Sequence, residues 1–165
     1  MDRVDVMVQG VRLNIAVTSY VSANNAPPIA FRHGFGSTKE DFIDLTFFPA
    51  FGDRTQVAYD APGCGETTCE DLSAVSIEFL VATAEAVLET LGIGHFHLAG
   101  HSMGGLTSLL LASAHADRVL SFINIKGNLG PEDYCLSRQT FDYPSDTAAE
   151  FFDTVGSNRL SNNQY

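Results

Sequence analysis

The residues best placed to do chemistry are Gly100-His101-Ser102-Met103-Gly104-Gly105. A Gly-x-Ser-x-Gly pentapeptide is common by itself. Here it stands between a short apolar stretch, Phe96 to Ala99, expected to be a buried strand, and Leu106 to Ala116, expected to be a helix. A chain that passes from strand to helix in so few residues must turn sharply. Gly100 and Gly104 remove the side chains that would clash in that turn, and the Ser102 hydroxyl is lifted above the end of the sheet. The next helix aims its first N–H groups at the same place, where they favour developing negative charge. The chemistry this arrangement suits is nucleophilic attack by serine on a carbonyl. The plainer reading, a glycine turn that happens to hold a serine, is disfavoured by the flanking elements and by the additional Gly105.

His33-Gly34-Phe35-Gly36 is the second element. It follows a short apolar strand that would lie beside the strand leading to Ser102. The tetrahedral oxyanion of acyl transfer needs two preorganised donors. The backbone N–H of Met103 would supply one and that of Phe35 the other. Alone, His-Gly after a strand is a weak signal; some sixty-odd residues ahead of the serine turn it becomes a strong one.

These two turns need a sheet to hold them. Val4 to Val8 and Arg12 to Tyr20 alternate in polarity, and Gly10 between them suggests a hairpin. Ile29 to Arg32 is a short apolar strand. Ser37-Thr38-Lys39-Glu40 has the spacing of a capping box, which predicts a helix starting there and ending near Pro49 or Gly52. Gln56 to Tyr59 is a strand that runs into the turn-rich Asp60-Ala61-Pro62-Gly63-Cys64-Gly65. Ser73 to Leu91 is the clearest helix, with Ile77, Leu80, Val81, Ala84, Val87, Leu88 and Leu91 on one stripe, Ser73 as N-cap and Gly92 just past the end. Val119 to Ile125 is a further apolar strand. Strands alternating with helices predict an α/β fold, a mostly parallel sheet with helices on both faces and an antiparallel hairpin at its start. Residues 1–127 are expected to form this core. Residues 128–165 turn polar and aromatic, with Pro131 and Pro144, and are expected to begin a cap segment.

The chain has 165 residues, 45% hydrophobic and 18% charged, enough to bury a real core. Its formal charge of −11 would repel phosphate, so neither nucleic acid nor an anionic membrane is an expected partner. Met1 to Asp5 shows no basic segment followed by an apolar core, and no apolar run approaches the ~18 residues of a spanning helix, so a cytoplasmic location is expected. Cys64, Cys69 and Cys135 are too few and too scattered for a disulfide framework, and a Cys64–Cys69 bridge is disfavoured. No metal-ligand spacing is present, and no metal site is expected.

His33 to Ser37, Tyr59 to Gly65 and Gly100 to Gly105 come in an order that resembles the α/β-hydrolase family, over roughly residues 4 to 130. Esterases, C–C bond hydrolases and cofactor-free haloperoxidases of that family look like this. The resemblance implies a serine nucleophile at Ser102, an oxyanion hole from the N–H groups of Phe35 and Met103, glycines at 34, 100 and 104 that let those parts approach, and no cofactor. It argues against the family's dehalogenases and epoxide hydrolases, which place Asp where Ser102 stands. It also implies the chain order serine, acid, histidine, so Asp60, which precedes Ser102, is not assigned as the acid.

The departure from the family lies in the missing partners. The only histidine after Ser102 is His115, near the far end of the following helix and therefore about 20 Å away at the helical rise per residue. His33, His95, His97 and His101 are expected to serve local or core roles. The strand after the helix ends Asn124-Ile125-Lys126-Gly127-Asn128 without a carboxylate, and Glu132 and Asp133 read as solvated loop charges. The triad acid and histidine are thus expected beyond residue 165. The expected function is a serine hydrolase acting through an acyl-enzyme on a small ester or related carbonyl compound, with Phe31, Phe35 and Met103 suggesting an apolar pocket. As it stands, the chain is expected to be nearly inactive. The alternatives are a non-catalytic ligand-binding homologue, or C–C cleavage or perhydrolysis on the same serine.

Overall fold

The computed structural model describes residues 2–127. The expected cap segment, residues 128–165, lies outside the described residues, as does Cys135.

The core is a seven-stranded sheet. Strands β1 (Asp2–Val8) and β2 (Val11–Tyr20) form the opening hairpin, with Gln9 and Gly10 both at positive φ (49° and 85°), as a tight two-residue turn requires. Strand β3 (Ile29–Arg32) lies at the sheet centre, and β4 (Gln56–Tyr59) separates it from β2. Strand β5 (Thr68–Cys69) pairs antiparallel with β2 at Leu13 and Asn14. Strand β6 (Phe96–His101) lies parallel to β3, and β7 (Val119–Ile125) parallel to β6 at the sheet edge. The order β1-β2-β4-β3-β6-β7 is parallel from β4 onward and antiparallel across the hairpin, as expected from the sequence.

Three helices join these strands: α1 (Pro49–Gly52), α2 (Ile77–Thr90) and α3 (Met103–Ala114). Helices α2 and α3 pack on one face, where Leu13, Ile15, Val17, Leu98 and Leu111 meet Phe79, Val87 and Leu88. Each such buried side chain contributes about 1.5–3 kcal/mol. On the other face Phe31 stacks on Phe42, with ring centroids 4.9 Å apart, and meets Phe51 edge-on.

Three local expectations need correction. The capping box at Ser37 does not start an α-helix: residues Lys39–Phe47 form a 3-10 helix whose N-cap is Thr38, without a side-chain cap bond. The Ser37 hydroxyl instead bonds the Asp41 carboxylate, and the Glu40 carboxylate turns to the Lys39 ammonium, 2.7 Å away. Helix α2 is capped not by Ser73 but by Ser76, whose hydroxyl accepts the Phe79 N–H at 3.1 Å. The Ser73 N–H and hydroxyl both donate to Asp71 in the preceding 3-10 turn, Leu72–Ala74. Helix α3 begins at Met103, one residue after the serine, rather than at Leu106. Gly92 does follow α2 in a left-handed conformation (φ 69°).

Candidate active site

Ser102 joins the last residue of β6 to the first of α3 and sits at φ 52° and ψ −119°. This is a region that residues with a Cβ avoid, at a cost on the order of 1–3 kcal/mol. The turn is held from several sides. The Ser102 N–H donates to the Ile125 carbonyl at the end of β7 (3.0 Å), and the Ser102 carbonyl accepts from Gly105 and Leu106 (2.9 and 3.2 Å). A side chain at Gly100 would overlap the backbone of Gly104 and Gly105, and one at Gly104 would overlap the carbonyls of Arg32 and His33. Both glycines are therefore required by close approach: the first turn of α3 is pressed between the ends of β6 and β3. Because α3 starts at Met103, the N–H of that residue belongs to the first-turn donors that have no acceptor within the helix.

The His33–Ser37 loop crosses in front of the serine. Gly34 is buried against Ser102, whereas Phe35 is 67% exposed. Gly36 takes a left-handed conformation (φ 71°), and the Ser37 N–H closes the turn on the Gly34 carbonyl at 3.3 Å. Ser102, Gly34, Gly100 and Gly104 are thus brought together around one junction. Phe31 is buried in the second core cluster, and its ring lines a hollow on that face of the sheet rather than the junction around Ser102. That hollow, lined also by Thr18, Tyr20, Phe42 and Gln56, has no residue of the serine turn in its wall.

All five histidines fall within the described residues. His33 is buried and bonded on both nitrogens: Nδ1 lies 2.8 Å from the Gly34 carbonyl, and Nε2 accepts the Ala61 N–H at 2.9 Å. Burial, opposed by the Gly34 bond, holds its pKa below the ordinary value. His97 contacts the Ser121 hydroxyl and Arg54, and burial likewise lowers its pKa. His115 lies 2.9 Å from Glu85. His95 is exposed on the approach to β6, and the His101 ring lies beside Gly34. The bonds of His33, His97 and His115 run to residues other than Ser102.

Sequence reasoning missed Lys39. Its side chain is 1% exposed, and its ammonium meets Glu40, Asp60 and Glu66 at 2.7, 2.9 and 3.2 Å. Burial alone would lower its pKa, but the three carboxylates outweigh that and hold it above the ordinary lysine value. Asp60 is fully buried and accepts the Lys39 and Glu66 backbone N–H groups, each at 2.8 Å. The pairing spans 21 residues, so no local pattern could reveal it. Cys64 and Cys69 are free thiols, and among the described residues no His, Cys, Asp and Glu group is arranged to hold a metal ion. No helix of the described residues is long and apolar enough to cross a membrane.

A mostly parallel sheet with helices on both faces, and a serine on a strained turn at the carboxyl end of a central strand, define a class of α/β protein whose site forms where strands give way to helices. Residues 27–161 match the alpha/beta hydrolase fold family, and the chain belongs to it. It is 39% identical over 95 residues to the dihydrolipoyllysine-residue acetyltransferase component of the acetoin cleaving system of Pseudomonas putida, a match covering 57% of this chain and 25% of that protein. It is 27% identical to a 2-hydroxy-6-oxononadienedioate/2-hydroxy-6-oxononatrienedioate hydrolase of Burkholderia vietnamiensis, over 77% of this chain and 44% of the relative. A thermophilic esterase from Thermogutta terrifontis superposes with a TM-score of 0.70 at 20% identity, over 85% of this chain and 52% of the esterase, and shows the shared fold. The chain thus spans between a quarter and about half of the length of these proteins.

Proposed function

We propose that Ser102 is the nucleophile of a serine hydrolase that acts on a small apolar ester or related carbonyl compound through an acyl-enzyme. The observation that carries this reading is the backbone of Ser102 itself. A non-glycine residue at φ 52° and ψ −119° is retained at the junction of β6 and α3 although glycine would relieve the strain. Such strain is kept where a side chain must be presented. The Ser102 oxygen would attack the carbonyl carbon, the oxyanion would settle on the N–H groups of Phe35 and Met103, and the alcohol would leave to give the acyl-enzyme, which water then hydrolyses. Transfer of the serine proton needs a base. None of the bonds that hold His33, His97 and His115 in place reaches Ser102. On this reading, residues 1–165 alone turn over substrate very slowly, on the oxyanion donors and binding alone. The reading is of a cytoplasmic enzyme that needs no cofactor and binds neither nucleic acid nor membrane.

The test is fluorophosphonate labelling and p-nitrophenyl acetate hydrolysis by the natural protein that carries this sequence, with Ser102→Ala beside it. Labelling and turnover that vanish in the variant support the reading. Hydrolysis that survives Ser102→Ala sinks it.

A further inference from the structure

The loop from His33 to Lys39 carries Phe35, one of the two oxyanion donors in the reading above, and the inference rests on that reading. The middle of the loop is lightly held: Phe35 is exposed, the left-handed Gly36 makes a backbone hydrogen bond to the Cys64 thiol, and the Ser37 N–H makes a 3.3 Å contact to the Gly34 carbonyl. Its two ends are fastened by shorter bonds to the same neighbouring segment, residues 60–66. At the near end the Ala61 N–H donates to His33 Nε2 (2.9 Å). At the far end Lys39 gives Asp60 both its backbone N–H, to Oδ1 at 2.8 Å, and its ammonium, to Oδ2 at 2.9 Å. Asp60 is itself fixed. It accepts the Glu66 N–H at 2.8 Å, its own backbone carbonyl accepts the Thr67 hydroxyl at 2.8 Å, and Gly65 lies so close that a side chain there would overlap the carboxylate.

We propose that Lys39 is a positioning residue for the oxyanion donor: its two-point grip on the buried Asp60 carboxylate clamps the far end of the His33–Lys39 arch and so sets the direction of the Phe35 N–H. A lysine is suited to this. Its three ammonium hydrogens match three carboxylates, so the charge is fully satisfied where it is buried. A buried ion pair is a poor source of net stability compared with apolar packing, so the pair is better explained by the geometry it imposes than by its energy. Methionine at this position would keep the length and the backbone bond and lose the second point of the grip.

The variants are Lys39→Met and the charge-neutral pair Lys39→Met/Asp60→Asn, made in the natural protein for both kinetics and hydrogen exchange. With p-nitrophenyl acetate, kcat should fall by about tenfold to a hundredfold, short of the full loss of an oxyanion donor. KM should stay within about threefold, as expected when only a transition-state contact is lost. Amide exchange over residues 33–39 should quicken by about tenfold, with β6 unchanged. Wild-type kcat, or wild-type exchange over 33–39, in a folded Lys39→Met variant overturns the proposal. If that variant does not fold because Asp60 is left as an unpaired buried charge, the neutral pair carries the same readings. If hydrolysis survives Ser102→Ala, the serine reading fails instead, and exchange over 33–39 alone decides whether Lys39 holds the arch.

Discussion

A Cβ at Gly34 would stand 3.0 Å from the Cβ of Ser102, and 3.0 Å from Nδ1 of His101. That is closer than real side chains ordinarily approach, so the absence of a side chain at 34 is what lets the His33–Ser37 loop rest on the serine turn. Gly34→Ala should push the two apart by a few tenths of an ångström. Under the proposed mechanism, the Phe35 N–H would then miss the oxyanion. In the natural protein, kcat for p-nitrophenyl acetate should drop by about tenfold to a hundredfold, since losing such a donor outright costs on the order of 10²–10³. KM should change little. A Gly34→Ala protein with undiminished kcat would show that this contact is not what aligns the donor.

Ser102 stores strain, and glycine should release it. At φ 52° and ψ −119° a residue without Cβ is unhindered. Ser102→Gly should therefore unfold at a higher temperature than Ser102→Ala, which keeps the Cβ and the strain. The gap should be about 1–3 kcal/mol, less the smaller entropic cost of glycine in the unfolded chain. Thermal denaturation of the two variants side by side measures it. Equal melting temperatures would mean that the turn is not strained in solution.

Much of the frame was legible because it is written in short runs. Ile29 to Arg32, Gln56 to Tyr59 and Val119 to Ile125 are apolar stretches bounded by turn residues, and the strands have those same limits. The serine turn was legible because Gly100 answers a steric demand from Gly104 and Gly105 within five residues of chain, whereas the demand on Gly104 comes from Arg32 and His33 at the end of β3. What escaped depends on competition or on distance. Ser73 and Ser76 are equally good caps on paper, and Asp71 decides between them by engaging the first. Ser37 and Glu40 have capping-box spacing, but Asp41 and Lys39 take their side chains. Strand β5 has two residues, too few to show alternation. The grip of Lys39 on Asp60 exists only after β4 has been laid beside β3, a step that local pattern does not encode.

His33 should make the fold sensitive to mild acid. Nε2 accepts the Ala61 N–H, so the folded state needs the neutral ring, and a proton there would face another donor. Burial, the largest influence, lowers its folded pKa below the unfolded value of about 6.5. Between those two values the unfolded chain binds more protons than the folded one. Stability is then full above about pH 6.5 and is lost as pH falls from there toward the folded pKa. His97 is shifted the same way and acts in the same window. Urea unfolding from pH 8 to 5 should show the loss, and His33→Gln should flatten the His33 share of it. A His33→Gln chain with the wild-type slope would assign the whole effect to His97.

Arg32 presents the opposite balance to Lys39. Its guanidinium is buried next to the His33–Ser37 loop, 4.8 Å over the Tyr59 ring, with one long bond of 3.4 Å to the Leu80 carbonyl. Among the described residues neither its Nη1 nor the Tyr59 hydroxyl has a hydrogen-bond partner. Burial pulls its pKa below the ordinary arginine value. A buried cation held by a ring face and one weak bond recovers little of its lost hydration. Cation–π attraction adds ~2 kcal/mol at best, against a desolvation penalty of several. Arg32→Met keeps the length of the stem and removes the charge. It should therefore match or exceed the parent in urea stability, whereas Lys39→Met, which strands the Asp60 carboxylate, should lose about 3–5 kcal/mol. A loss of that size for Arg32→Met would mean that the guanidinium is satisfied by a group other than those around it here.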